Sequence, residues 1–569
     1  MKKTYKRVLS LLVLFAMMLS VLAGCGGKDK PGGENVSGVP EIDEPVTLTV
    51  LTQRHTGSTT DAGDLWFFKY MEYWFAEQGY DVTIKVQQTN EAAKQTSLLL
   101  GTNSLPDIVW GIGLGRSDIM QYGVEEEMVL NWTPYLNESL MPNLVGRFAE
   151  YEQAKIDSTA PDGNVYALPY FAPSQCASGC YGTSERLYFR QSWLDACGVQ
   201  NPTTQEEFLD VLRAFKKKMP TKNSSGVPLV SAGSFLEKYL WTGLGYYGTE
   251  PAKYGSSLMI KDGKIVMPAY TEDYKTFIDL MKTMYSEGLI AKDYFSMDEA
   301  TAGGMMRDNA CGALCWWTLE YVGDDFSDIV CANPITFGDN QEIHVSRLAD
   351  FTANTIWASS KTQYPALVAM MIDFIYSDEG AWLYRYGPAE GEDPLDLVDG
   401  WKWNEDHDVT TKLVEDGTYS SMSAYGRDRL FPFDNAGLRP AVVTSGSGNM
   451  VDYTDSVTGK TYQCIDNLKL DDNTNDGHWR LITIDKWSSK ATSVRLHGAY
   501  LDSDSTSEAS DLITIIQQHI SNESAKFITG QRPVSEIDAF QKELKDLGIE
   551  RYLDMYTKAY ADYMTDIFG

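Results

Sequence analysis

From Pro45 to Gln53 apolar side chains recur at Val46, Leu48 and Val50, with Leu51 beside them, and this period of two predicts a strand. The run DLWFFKYMEYWFAEQGY follows and predicts a helix, with Asp64 as its N-cap and Gly79 as its stop. Aromatic residues fall nearly all the way round that helix, so it should be packed on every side. Val82, Ile84 and Val86 mark one face of a second strand, NEAAKQTSLLLG predicts a helix from Asn90 to Gly101, and PDIVWG a third strand. Strand, helix, strand, helix, strand at this rhythm marks a parallel α/β layer, in which ligands bind at the C-terminal ends of the strands. Two loops therefore fall in the expected cleft: QRHTGSTT, which carries Arg54 and His55, and the glycine-rich WGIGLG, which opens on Trp110.

Further along, TTQEEFLDVLRAFKKKM and TEDYKTFIDLMKTMYSEGL read as helices, and CGALCWW and ANTIWAS as strands. YPALVAMMIDFIYSDEGAWLYRYG predicts a long helix or a helix pair. Residues 392–480 are richer in Asp, Asn, Gly and Ser and predict loops on a scaffold. The tail PVSEIDAFQKELKDLGIERYLDMYTKAYADYM predicts two amphipathic helices punctuated by Gly548. No internal repeat is visible.

The N-terminus changes the picture by setting a compartment. Lys2, Lys3, Lys6 and Arg7 precede the apolar run VLSLLVLFAMMLSVLA, which is short of the roughly 20 residues a membrane span needs. That pattern predicts a secretory signal peptide over residues 1–24. Its end, Leu22-Ala23-Gly24-Cys25, resembles a bacterial lipobox, which implies cleavage before Cys25 and a diacylglyceryl thioether on that cysteine. Two acyl chains give stable anchoring at the outer face of a cell membrane where one does not. Residues 25–44, rich in Gly, Pro and polar side chains, predict a flexible tether.

At 569 residues the chain predicts more than one domain, and a hydrophobic share of 43% supplies cores for them. Loss of residues 1–24 would leave 44 Lys and Arg against 79 Asp and Glu, a formal charge of −35. A field of that sign disfavours nucleic acid as a partner. Of the eight cysteines, seven remain beside Cys25, an odd number that cannot all pair. Cys176 with Cys180 and Cys311 with Cys315 share a spacing, and a disulfide in one of these pairs is left open.

Most catalytic chemistry is missing from the pattern. Gly111, Gly113 and Gly115 give G-x-G-x-G, which is neither a dinucleotide fingerprint nor a phosphate loop. The histidines at 55, 344, 407, 478, 497 and 519 show no zinc-site spacing, and DDNTNDG (Asp471 to Gly477) lacks the closing Glu of a calcium loop, so a solvated turn is expected there. No G-x-S-x-G marks a nucleophile. What remains is aromatic: Trp110, Tyr166, Tyr170, Trp241, Trp316, Trp317 and Trp357 stand near predicted strand ends or crossovers. Their faces suit sugar rings, with Arg54 and His55 as donors to hydroxyls. In an extended Trp316-Trp317 pair the rings point to opposite sides, so at most one faces ligand.

Four longer segments carry a resemblance. They are LLLGTNSLPDIVWG, APDGNVYALPY, YFRQSWLDACGVQNPTTQEEFLDVLRAFK and FITGQRPVSEIDAFQKELKDLGIERYLDMYTKAYADY. Through them the chain resembles family 1 of the extracellular solute-binding proteins of ABC importers, in its lipid-anchored, LplA-like, Gram-positive form. Gln191 departs from the acidic residue usual at its position. The resemblance implies an α/β, two-lobed fold of the type II periplasmic-binding-protein kind, with a hinge between the lobes and C-terminal helices. Lobe 1 would take residues 45–168 with a return over roughly 312–360, and lobe 2 residues 169–311 and 361–569. A carbohydrate, expected to be a neutral oligosaccharide, would bind between the lobes and pass to membrane permease subunits. The protein would be a monomer without cofactor, metal or catalytic group. Two rival readings share these features: an extracellular glycoside hydrolase or lyase, and a ligand-binding partner of a signalling receptor.

Overall fold

The computed structural model describes residues 38–568 apart from 56–57, 173–186, 232–233, 250–251, 317–326, 341, 347–350, 405–408, 434–435, 439–452, 455–460, 463–490, 493, 497 and 502. The expected signal peptide, Cys25, Cys176, Cys180, Trp317 and the 471–477 segment lie outside the described residues.

Strand β1 (Val46–Gln53) buries Val46, Leu48 and Val50 and leaves Thr47 exposed, as an alternating strand requires. Helix α1 (Trp66–Glu77) starts later than expected, because Asp64 sits in a short 3-10 turn and Leu65 precedes the helix without a side-chain cap. β2 (Val82–Thr89), α2 (Ala92–Thr102), β3 (Ile108–Trp110) and β4 (Ala167–Phe171) complete the first run. The residue before α2 is Glu91, so Asn90 is not its cap. The second run comprises β5 (Leu187–Arg190), α3 (Gln205–Lys218), β6 (Val227–Ser231), α4 (Phe235–Gly243), α5 (Asp273–Ser286), β7 (Cys311–Cys315) and β8 (Ile329–Cys331). A reciprocal cap starts α3: Glu207 N–H donates to the Thr204 hydroxyl at 3.2 Å, and Thr203 N–H donates to the Glu207 carboxylate at 2.8 Å. The chain returns as β9 (Phe351–Ala358), α6 (Pro365–Phe374), α7 (Asp378–Tyr386) and α8 (Met422–Arg429). It ends in α9 (Ser503–Thr529), α10 (Ile537–Asp546) and α11 (Ile549–Ala559), the last two divided at Gly548 with φ of +96°.

Hydrogen bonding joins β2-β1-β3-β9-β4 into a five-stranded sheet and β8-β5-β7-β6 into a four-stranded one. β1, β2 and β3 are parallel, but β9 enters antiparallel between β3 and β4, so the first sheet is mixed. Each sheet has its own core, one built from residues 46–171 and 356–438, the other from 187–343 and 501–556. These are the two lobes.

They divide the chain differently from the expected boundaries. β7 and β8 lie in the stretch expected to return to lobe 1, yet both pair with β5 in the second sheet. Residues 361–438, expected in lobe 2, pack on the first sheet. The reason is visible at α6. Its Asp373 accepts hydrogen bonds from Asn143 Nδ2 (2.7 Å) and Leu144 N–H (2.8 Å), and Tyr376 Oη donates to the Pro169 carbonyl (2.6 Å). Once β9 has joined the first sheet, the apolar helix that follows it has that sheet's face to cover.

Cys311 and Cys315 are both buried, and neither is in a disulfide. Four residues apart on one extended strand, they are about 13 Å from each other, beyond disulfide reach. Among the described residues no helix is long and apolar enough to cross a membrane.

Candidate functional site

The strand directions put the crossings between the lobes at one end of each sheet. On the first lobe the edge holds the ends of β1, β3 and β4 and the start of β9. On the second it holds the ends of β6, β7 and β8 and the start of β5. The chain passes between these edges after β4, before β9 and again after Leu438.

At the end of β1, Arg54 N–H donates to the Thr89 carbonyl at 2.9 Å, which carries the pairing one residue past the strand. The Arg54 guanidinium folds back on its own loop, with one terminal nitrogen 3.2 Å from the Ser58 carbonyl and 3.5 Å from that of Thr59. The expected donor to a ligand thus first serves its loop. Asp428 of α8 holds the same loop through Thr59 N–H (2.5 Å) and Thr60 N–H (3.1 Å), and also accepts from the Tyr419 hydroxyl (2.8 Å). Burial opposes ionisation of Asp428, but these donors outweigh it and hold its carboxyl below the usual range. Arg54 and His55 meet Gln88 and Arg427 around a cavity of about 10 Å³, room for a single water. Neither Gln88 nor Arg427 was legible as a site residue, because strand β2 and helix α8 reach this point from distant sequence.

The expected aromatic platforms belong elsewhere. Trp110 is fully buried, with its ring centroid 5.5 Å from that of Phe67 and 6.1 Å from that of Tyr384. Its indole N–H donates to the Tyr384 hydroxyl at 3.1 Å, and that hydroxyl donates to the Phe433 carbonyl at 2.7 Å. Trp357 is also fully buried, and its indole N–H donates to the Ile112 carbonyl at 2.9 Å, pinning the glycine loop from below. Trp241 stacks on Phe277 at 4.3 Å inside the lobe-2 core. Trp316 is buried against Phe235 at 5.8 Å. Tyr170 is buried on β4, and Tyr166 is buried with its hydroxyl on Asp162 at 2.7 Å. Trp110, Tyr170, Trp241, Trp316 and Trp357 are therefore packing residues in this conformation, for one physical reason. Each sits inside an apolar run, and such runs go to the core before they go to a ligand.

The glycine loop after β3 has a structural role as well. Gly111 has φ of +69°, and a Cβ there would lie 2.5 Å from the Phe433 ring, so only glycine permits that approach. Leu114 N–H donates to the Asn354 carbonyl at 3.0 Å, and Asn354 itself adopts φ of +63° at an irregularity in β9. Phe433, beside the glycine loop of lobe 1, and Phe235, at the start of α4 in lobe 2, are left half-buried.

Tryptophans with accessible faces stand on lobe 1. Trp382, Trp401 and Trp403 are half-buried and pack on one another, Trp382 to Trp401 at 5.1 Å and Trp401 to Trp403 at 5.5 Å. Met422, the first residue of α8, packs against them, and α8 leads from there to Arg427 and Asp428. The signal for this cluster was present as W-K-W, alternating inside an Asp- and Gly-rich stretch too poor in apolar residues to bury both rings. Among the described residues no group of three or more His, Cys, Asp or Glu side chains is arranged to hold a metal ion.

No family model matches the chain. It is 23% identical over 97% of its length, and 98% of the other's, to the fructooligosaccharide ABC transporter substrate-binding protein FusA of Streptococcus pneumoniae. A shorter match, 32% identical, covers 30% of this chain and 31% of lipoprotein LipO of Bacillus subtilis. The fold superposes on the HMO-binding, ABC-transporter-associated solute-binding protein of Bifidobacterium longum infantis with a TM-score of 0.71 and 17% identity, over 92% of this chain and all of that one. The fold is that of ABC-transporter substrate-binding proteins, the class that the sequence motifs resemble.

Proposed function

We propose that the chain is the substrate-binding protein of an ABC importer, which captures an oligosaccharide between its lobes without acting on it and delivers it to a permease. The observation that carries this reading is a pair of separate sheets, each with its own core, between which the chain crosses repeatedly at the strand ends. FusA, related along nearly the whole length of both chains, is named for a fructooligosaccharide, and the solute-binding protein of similar fold for HMO binding. A ligand that touches both edges only in the closed form shifts the population toward closure by that difference in affinity. His55, Gln88 and Arg427 supply polar contacts and Phe433 and Phe235 ring faces. Trp317, next to the buried Trp316, remains a platform in this reading. The Trp382, Trp401 and Trp403 cluster extends the apolar surface for further sugar units. An acidic chain favours a neutral glycan over a polyuronate.

The lipobox-like end at Cys25 and the similarity to a lipoprotein over part of the chain support anchoring at the outer face of the cell membrane. Titration calorimetry of the purified protein against a panel of neutral oligosaccharides, fructooligosaccharides included, tests the reading. Saturable one-to-one binding with the glycan recovered intact is the expected result. Shortened glycan would point to the enzyme, and no binding across the panel would remove the carbohydrate.

A further inference from the structure

A cavity of about 320 Å³ lined by both lobes lies apart from the residues of the proposed glycan contact. Lobe 1 contributes Arg116 and Ser117, just beyond the glycine loop; the C-terminal layer of lobe 2 contributes Ser510 of α9 and Tyr556 and Tyr560 of and beside α11; Tyr500 reaches in from the returning segment. The volume falls at the lower end of the range for small-molecule sites.

Arg116 is held in place and incompletely used. Its guanidinium lies over the Tyr500 ring at 5.1 Å, and one terminal nitrogen donates to the Asp157 carbonyl at 3.2 Å. A Cβ at Gly498 would overlap the guanidinium, so the glycine makes room for it. Its Nε is buried and finds no acceptor among the described residues, and no ion pair engages Arg116 among them. The Asp157 carboxylate turns instead to Gln153 Nε2 at 2.8 Å. In a chain with 79 acidic residues, a guanidinium seated at a cavity wall without a carboxylate partner is selective for an anion from outside. Tyr556 and Tyr560, four residues apart, line the cavity with ring centroids 6.4 Å apart and planes 28° from parallel, and give it an aromatic wall.

We propose that this cavity is a separate site for a small ring-borne carboxylate, whose carboxylate is taken by Arg116 and whose ring lies on the tyrosine wall. Because both lobes line it, occupancy favours one relative position of the lobes and so changes glycan affinity, by a factor that is equal in the two directions.

The test is calorimetry of the full chain with two probes, D-glucuronate and 4-hydroxybenzoate, and with D-glucose as the uncharged control. Either acid should bind saturably while glucose does not, and the preferred probe tells a sugar acid from an aromatic acid. Arg116→Gln should weaken binding at least tenfold. Ser510→Trp, placed at an exposed helix position on the rim, should block the cavity without touching Arg116, so a folding defect in one variant does not decide the matter. Failure of both acids to bind, equal binding of glucose, or full binding by folded Arg116→Gln and Ser510→Trp would each overturn the proposal. None of these outcomes depends on the cleft taking a glycan.

Discussion

Glu237 offers a quantitative test of how the second lobe is built. It lies on α4, fully buried, and accepts hydrogen bonds from Tyr254 N–H and from the Tyr294 hydroxyl, the latter at 3.1 Å. Tyr254 holds a left-handed φ of +57°, so the carboxylate also secures a strained turn. The charged or titratable groups around it are Lys253, whose ammonium stands over the Tyr254 ring at 5.1 Å, and the tyrosines 254, 274 and 294. Desolvation dominates, and it pushes the carboxyl from 4.5 up to about 7 despite these donors. A shift from 4.5 to about 7 corresponds to roughly 3 kcal/mol of differential stability between the protonation states. The folded value exceeds the unfolded one, so this contribution is complete below pH 4.5 and is lost as pH rises through about 7. Glu237→Gln removes the titration and keeps the shape. The variant starts about 1–2 kcal/mol less stable in acid, where its amide mismatches one donor, and then stays level while the wild type declines. Urea unfolding at pH 5, 6, 7 and 8.5, followed by tryptophan fluorescence, reads both slopes. Parallel pH dependence of the two proteins would refute the reasoning.

Three further outcomes are expected. Trp110→Ala should cost about 3–5 kcal/mol of stability in urea, because a filled core position is emptied, whereas Trp401→Ala should leave stability nearer the wild type and lower glycan affinity about fivefold to tenfold in calorimetry. Asp428→Asn should speed hydrogen exchange at residues 58–60, losing about 1.5–3 kcal/mol of charged hydrogen bonding; in the wild type that protection is present above the ordinary carboxyl pKa and fades as pH falls through the lower folded value.

The local elements were legible because β1 alternates over Val46–Val50 and β2 over Val82–Val86, and Gly548 interrupts an otherwise continuous helical period. The class was legible too, through long motifs. Lobe membership was not: β7 and β9 are similar apolar runs, and only their partners in space assign one to each sheet. The burial of Trp110, Tyr170, Trp241, Trp316 and Trp357 was hidden for a related reason. A tryptophan at a strand tip has the same neighbours in sequence whether it faces ligand or core, and Trp110 faces Phe67 and Tyr384. Arg54 was placed correctly at a strand end, but its bond to the Ser58 carbonyl depends on a loop path that no periodicity encodes. The better signal was contrast, as in W-K-W, where large rings stand in a segment with little else to bury them.

The placement of β9 beside β4 has a mechanical consequence. Phe171, where the chain leaves the first sheet, is paired with Phe351, where it returns, and Ala332 N–H donates to the Leu187 carbonyl at 2.8 Å where it enters and leaves the second. Outgoing and incoming chains are thus fastened side by side at both ends, within the roughly 5 Å of neighbouring strands. With both chain ends tied at its margin, each sheet keeps its outgoing and incoming strands in register, so a solute that draws the lobes together moves each sheet as one piece.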